Sequence, residues 1–206
     1  MSTPTHWDGI YKAKTPVETS WYEPHLEISL QWILKATPDL NAPVIDVGGG
    51  ESTLIDDLLA RGYRALTVLD LSQTALANAQ RRLGGAARNV AWVSGDVTQF
   101  PLPPRAFDLW HDRAVFHFLT QSKNRAAYVR ALSASLRENG QVVMATFGPE
   151  GPQKCSGLPT MRYDVDALQR ELGPEFRLVR HEVVDHRTPF GTTQQFLYSQ
   201  FAFHAG

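Results

Sequence analysis

The stretch VIDVGGGESTLIDDLL, residues 44 to 59, constrains the fold more than any other part of the chain. An apolar run carrying one acid, Asp46, meets three consecutive glycines, Gly48, Gly49 and Gly50, and then apolar residues at helical spacing, Leu54, Ile55, Leu58 and Leu59. Glycine loses more backbone freedom on folding than any other residue. Three together, where a strand hands over to a helix, imply a tight turn and a close approach of another group to the main chain.

The same alternation continues along the chain. Runs at 65–69 ending in Asp70, 90–93 ending in Ser94-Gly95-Asp96, 107–111 and 141–147 read as buried strands. Between them, Leu76, Ala79 and Leu83 behind a Ser72 cap, and Tyr128, Leu132 and Leu136 within 124–137, predict helices, as do Leu26, Leu30, Ile33 and Leu34 ahead of the first strand. After a Gly/Pro-rich loop at 148–159, Asp164 caps a short helix ended by Gly173. The runs 176–184 and 195–203 have no room for a helix between them, so they pair antiparallel. Strands alternating with helices predict a mostly parallel sheet covered on both faces, with ligands outside the carboxyl ends of the strands. The 206 residues make one domain: an aromatic N-terminal arm over 1–23 without a clear period, a core over 24–147, and a loop, short helix and hairpin over 148–206.

Composition narrows the function. A formal net charge of −1 gives no overall case for nucleic acid or an anionic membrane. No apolar run spans a bilayer, the N-terminus lacks a secretory segment, and a single cysteine, Cys155, excludes an internal disulfide. A cytoplasmic protein is expected. The histidines, His111, His117, His181, His186 and His204 among them, show no metal-ligand spacing, so no metal is expected.

Asp46 and the glycines, Asp70, Asp96, and His111-Asp112-Arg113 end successive strands and therefore share one rim. A phosphate loop needs a Lys after the glycines, which is absent. A dinucleotide fingerprint counted from Gly48 needs glycine where Thr53 stands, which weakens a nicotinamide or flavin cofactor. A sulfonium nucleoside, S-adenosylmethionine, needs no phosphate cradle and carries a positive sulfonium and an amino group, which Asp46 suits. Asp70, 22 residues after Gly48, is placed for the ribose hydroxyls, and Asp96 for the adenine amino group.

The series Asp46-Val-Gly-Gly-Gly-Glu-Ser, Leu69-Asp70-Leu71-Ser72, Ser94-Gly95-Asp96-Val97 and Phe107-Asp108-Leu-Trp110 resembles the motifs of the class I S-adenosylmethionine-dependent methyltransferases. The resemblance implies a three-layer αβα Rossmann-like sandwich whose seven-stranded sheet has the order 3-2-1-4-5-7-6, with strand 7 antiparallel. It also implies cofactor contacts from Gly48, Gly49, Gly50, Asp70, Leu71, Gly95, Asp96, Val97 and His111. Ser52 stands where the family often has a third alternating glycine, which implies a shifted loop. The N-terminal His6-Trp7-Asp8-Gly9-Ile10-Tyr11 and Ser20-Trp21-Tyr22 are similar to elements of a subgroup that includes lysine methyltransferases of elongation factors. That similarity implies Trp7, Tyr11 and Trp21 as lid residues, consistent with the attraction of aromatic faces for cations.

His111, Arg113 and His117 are the substrate-facing candidates; no catalytic residue is identified. Histidine titrates near neutral pH and suits proton acceptance. His-Asp-Arg-Ala after the fourth strand is not an Asn/Asp-Pro-Pro-Tyr tetrad, which argues against methylation of base nitrogen in nucleic acid. The chain, without an extra domain, is expected to methylate a small molecule. Protein lysine methylation, a non-catalytic cofactor binder and, more weakly, a dehydrogenase are the alternatives.

Overall fold

The computed structural model describes residues 3–205. Strands β1 (Val44–Val47), β2 (Leu66–Asp70), β3 (Val90–Ser94), β4 (Phe107–Arg113) and β5 (Leu136–Phe147) run parallel. Two residue pairs, β6 (Lys154–Cys155) and β7 (Leu158–Pro159), close a small separate turn inside the expected loop. The hairpin of β8 (Phe176–Arg187) and β9 (Thr193–Phe203) completes the main sheet, with β9 antiparallel to β5. The sheet order is β3-β2-β1-β4-β5-β9-β8. With β6 and β7 set aside, this is the order 3-2-1-4-5-7-6 expected from the sequence.

Helices cover both faces. Leu30 and Ile33 of α2 (Glu27–Ala36), Leu54 and Leu58 of α3 (Leu54–Ala60) and Leu76 of α4 (Gln73–Leu83) pack on Val44, Val68, Leu109 and Val143. On the other face, Tyr128 and Leu132 of α5 (Ser122–Ser135) and Leu168 of α6 (Val165–Leu172) pack on Ile45, Val47, Trp110 and Met144. Burial on both faces explains why the central strands read as continuous apolar runs rather than alternating ones.

Two elements depart from expectation. Helix α5 ends at Ser135, not Arg137, and β5 starts at once, with Asn139 turning through a positive φ of 65°. The arm, expected without regular structure, contains a helix, α1 (Pro4–Ala13). Thr3 caps it by accepting the His6 N–H, and Pro4 occupies the first turn, where its missing N–H costs nothing. No residue of α1 is fully buried, so no apolar stripe marks it in the sequence. Its anchor is polar: Asp8 Oδ1 accepts from Ser72 Oγ at 2.6 Å and from the Thr74 N–H at 3.0 Å. A carboxylate thus sits on the positive N-terminus of α4.

The three glycines face three different neighbours. Gly48 has φ +70° and Gly50 φ +51°. A Cβ on Gly48 would lie 2.0 Å from Val115 Cγ2, one on Gly49 would lie 2.6 Å from Asp46 Oδ2, and one on Gly50 would lie 2.7 Å from the Tyr11 hydroxyl. The close approach is therefore made by the protein's own side chains. Gly48→Ala combines positive φ with overpacking and is expected to cost about 1–3 kcal/mol in chemical denaturation. Adding Val115→Ala should recover part of that loss; no recovery would assign the whole cost to the backbone.

Candidate functional site

A cavity of about 390 Å³ runs along the carboxyl ends of the strands from β3 to β9. Gly95, Asp96 and Val97 line it after β3, Leu69, Asp70 and Leu71 at β2, Val47 and Gly48 at β1, and Arg113, Ala114 and Val115 at β4. Phe147 at β5, Phe196 at β9, and Cys155, Leu158 and Pro159 of the small turn close the far end. Trp7, Tyr11, Trp21 and Phe118 roof it, with ring centroids 5.9 Å apart for Trp7–Trp21 and 5.2 Å for Trp7–Phe118. Beside Gly48 lies a chamber of about 60 Å³ lined by Asp46, Glu51, Glu23 and His111 among others, and sharing Tyr11, Trp21 and Arg113 with the main cavity.

Asp46 is buried in the floor of this chamber. Its Oδ1 pairs with His111 Nδ1 at 2.7 Å, and His111 Nε2 pairs with Ser29 Oγ at 2.9 Å. Its Oδ2 is buried without a hydrogen-bond partner. Asp70 accepts the Ser72 N–H at 2.7 Å and the N–H of Gly50, yet burial pushes its carboxyl up to about 7. Burial likewise pushes the Tyr11 phenol well above its ordinary value, helped by the charges of Asp70 and Glu51.

Asp96 reaches the cavity wall, but its carboxylate already accepts from the Thr98 N–H and hydroxyl and from Gln99 Nε2. The turn after β3 therefore uses the acid to fold itself, a role that its strand-end position did not reveal.

Strand alternation separates the three polar residues of β4. His111 and Arg113 face the chamber side, whereas Asp112 turns away. It accepts the N–H groups of Val115 and Phe116 and the Tyr128 hydroxyl, holding the turn at 116–118. Arg113 donates to the Tyr198 hydroxyl, the Trp21 carbonyl and Glu23, and lies 4.8 Å from the Phe196 ring centroid. Burial works against its charge, but Tyr198 and Glu23 offset this and hold the guanidinium above its ordinary value. Glu23 also pairs with His186 Nδ1 at 2.9 Å, whose Nε2 meets the Ser20 carbonyl at 2.8 Å.

His117, expected to face substrate, lines neither the cavity nor the side chamber. It is fully buried outside the cavity wall, stacked on Phe147 at 4.1 Å, and its Nδ1 accepts the Phe147 N–H. Burial, with the Arg113 charge, pushes it down to about 3, so it is neutral and its task is to support the floor. His111, expected at the cofactor, lines the side chamber with both ring nitrogens paired, one with Asp46 and one with Ser29.

Several supporting residues escaped sequence reasoning. Arg82, in the last turn of α4, donates to the carbonyls of Glu51 and Ser52 and pairs with Asp56, pinning the loop after the glycines. Asn78 donates to Glu51. Nothing in their spacing signals these contacts, which join elements distant in sequence. The apolar wall of Phe147, Phe196 and Cys155 was equally hidden; burial raises the Cys155 thiol. Among the described residues, no group of three or more His, Cys, Asp or Glu side chains is placed to hold a metal, and no helix is long and apolar enough to cross a membrane.

Comparison with known proteins gives this site its family. A family described as "Methyltransferase domain" matches residues 44–140, the stretch from β1 into β5 that carries the rim. The chain is 24% identical over 162 residues to zebrafish (Danio rerio) EEF1A lysine methyltransferase 2, covering 71% of this chain and 69% of that protein. It is 31% identical over 87 residues to the ubiquinone/menaquinone biosynthesis C-methyltransferase UbiE of Roseobacter denitrificans, a match spanning 41% of this chain and 34% of that protein. Its fold is similar to that of Burkholderia thailandensis 1,6-didemethyltoxoflavin-N1-methyltransferase, solved with S-adenosylhomocysteine bound, at a TM-score of 0.72 and 18% identity, covering 98% of this chain and 84% of that one. With the ordered strand-end motifs and the sheet order, these matches support a class I S-adenosylmethionine-dependent methyltransferase.

Proposed function

We propose that this chain methylates a small, largely apolar acceptor, with cofactor over β3-β2-β1 and acceptor over β4-β5-β9. One observation carries the reading: the cavity half over β4, β5 and β9 is walled and roofed largely by aromatic and apolar side chains, and its charged groups among the described residues are cations, Arg113 and, at the start of α5, Lys123. A lysine ammonium would enter beside a cation and find no carboxylate there. The zebrafish relative and the aromatic arm favour the lysine alternative; the quinone and toxoflavin enzymes, by their names, act on small molecules.

The residues present fit S-adenosylmethionine. The partnerless Asp46 Oδ2 suits an ammonium group, Asp70 suits a ribose diol, and Trp7, Tyr11 and Trp21 suit a sulfonium through their ring faces. Gly95, Asp96, Val97 and Leu71 would border the adenine, and Gly48 to Gly50 the methionine chain. When bound, the cofactor supplies an electrophilic methyl carbon on a good leaving group. The protein's part is placement, exclusion of water by the roof, and orientation, which together supply roughly 7–11 kcal/mol of a barrier of this kind.

The expected behaviour of Asp70 has a sign. In the free protein its pKa of about 7 exceeds the ordinary value of 3.8. The folded state therefore keeps a proton that the unfolded chain gives up as pH rises from about 4 to about 7, and stability falls over that window. Hydroxyls donating to Asp70 favour its charged form, so cofactor binding should release a proton near pH 7 and tighten as pH rises from 6 to 8. Calorimetry in buffers of different ionisation enthalpy measures this. Asp70→Asn should abolish the proton release and weaken binding by roughly 1–3 kcal/mol; unchanged affinity would remove the ribose assignment.

The arm makes a second test. Asp8→Ala removes the carboxylate link between α1 and the start of α4 and should speed S-adenosylhomocysteine dissociation in stopped-flow tryptophan fluorescence. An unchanged off-rate would reduce the arm to packing. A third test is the acceptor itself. Apolar thiols, phenols and carboxylates should outcompete a lysine peptide in methyl-transfer assays, and the reverse order would select the protein-lysine alternative.

A further inference from the structure

The acceptor half of the cavity contains no proton acceptor. Going round it, the side chains that titrate or carry charge among the described residues are Tyr11, Arg113, Cys155 and, at the start of α5, Lys123, whose ammonium is a cation and not a proton acceptor. Arg113 is a cation whose donors are already committed to Tyr198, Trp21 and Glu23. Tyr11 and Cys155 are protonated groups, both held so by burial. Asp70 ends β2, two strands from β4, which at sheet spacing is about 10 Å away. Asp96 is a strand further and already accepts from Thr98 and Gln99. Asp46, Glu51 and Glu23 open to the side chamber, and Glu23 is bound to Arg113 and His186. His117 stands outside the wall.

From this arrangement we infer that the enzyme methylates an apolar thiol, which arrives as its thiolate, and that no group of the protein takes the proton. The inference rests on the small-molecule reading above. Without a base, only the acceptor already ionised in solution can react. At pH 7 that is about 3% of an alkyl thiol with a pKa near 8.5, against about 0.1% of a phenol near 10 and about 0.04% of an alkylamine near 10.4. The thiolate is also the strongest nucleophile of the three, and sulfur is favourably placed against aromatic edges such as those of Trp21, Phe147 and Phe196. The thiol gives its proton to solvent. Its sulfur lone pair then forms the new S–CH3 bond while the bond from the methyl carbon to the sulfonium breaks, and that electron pair leaves with the cofactor sulfur as a neutral thioether.

The test uses the full chain with S-adenosylmethionine and two probes of different acidity, thiophenol and 2-phenylethanethiol, with phenol, 2-phenylethylamine and a lysine peptide as competitors. The expected result is that both thiols are methylated at least tenfold faster than the competitors at pH 7, and that the pH midpoint of kcat/KM for each thiol sits at that thiol's own pKa. Tyr11→Phe and Cys155→Ala, whatever they do to the rate, should leave both midpoints in place. Thiophenol should also quench tryptophan emission saturably with S-adenosylhomocysteine present, a binding readout independent of turnover. A midpoint common to both thiols, or one displaced by either variant, would reveal a protein base and overturn the inference. So would an absence of thiol methylation or of saturable quenching. Preference for phenol or phenylethylamine overturns it while leaving the small-molecule reading standing; preference for the lysine peptide overturns both.

Discussion

The arrangement of the rim follows from how Asp46 is held. A carboxylate buried near the middle of a sheet costs several kcal/mol unless it is paired and hydrogen-bonded. The chain Ser29–His111–Asp46 meets that requirement by joining α2, β4 and β1 through side chains alone. It occupies one carboxylate oxygen and leaves the other against Gly49, where a Cβ would stand 2.6 Å away. The middle glycine is thus dictated by the acid three residues before it. Val115 on the turn after β4 dictates the first, and Tyr11 of the arm the third. A run that looks like a single flexible hinge answers three separate steric demands.

The roof is tied down at both ends. At one end, Asp8 uses the same Ser72 that follows Asp70, so the α1 anchor and the putting-in-place of the Asp70 carboxylate share the start of α4. At the other, Arg113 and His186 hold Ser20, Trp21 and Glu23 against β4 and the terminal hairpin. Displacing Trp21 would take from the buried Arg113 guanidinium the Trp21 carbonyl and disturb its contact with Glu23, which is costly because the cation is then left short of partners in a poorly solvated place. Movement in the roof is therefore easier at the α1 end, where the anchor is only part-buried and, among the described residues, made of hydrogen bonds and ring contacts without an ion pair to a guanidinium.

Most of the fold was legible because its signals are local. Continuous apolar runs mark strands buried on both faces, Ser72 and Asp164 cap their helices as they read, and Gly84 and Gly173 lie just past two helix ends. The rim was legible because a parallel sheet brings strand ends together whatever the loops do. The rest was carried by contacts without local signature. Helix α1 has no fully buried apolar stripe, since it is held by the Asp8 carboxylate on α4 and by ring contacts of Trp7 and Tyr11 across the cavity roof. His111 and His117 looked like chemistry because histidine titrates near neutrality, yet burial and neighbouring atoms give both a structural task. Asp112 and His111 are adjacent in sequence but face opposite sides of the sheet, a consequence of alternation once the strand continues to Arg113.

The cavity divides by charge as well as by strand. Its acids, Asp70 and Asp96, lie over β2 and β3, while the half over β4, β5 and β9 holds a guanidinium paired with Glu23 behind aromatic walls and, at the start of α5, the Lys123 ammonium. The paired Arg113 provides little long-range selection of ligand charge, so under the proposed function recognition beside it would depend on shape and apolar area. Such contacts discriminate weakly: one methylene in an apolar pocket changes specificity by roughly 1–3 kcal/mol. The floor, by contrast, is stiff, since His117 stacked behind Phe147 and bonded to its N–H leaves that ring little freedom. Under the proposed function such a site would tolerate acceptors of differing outline while holding the reacting atom against a fixed wall, and in methyl transfer the alignment of that atom matters more than the identity of what it carries.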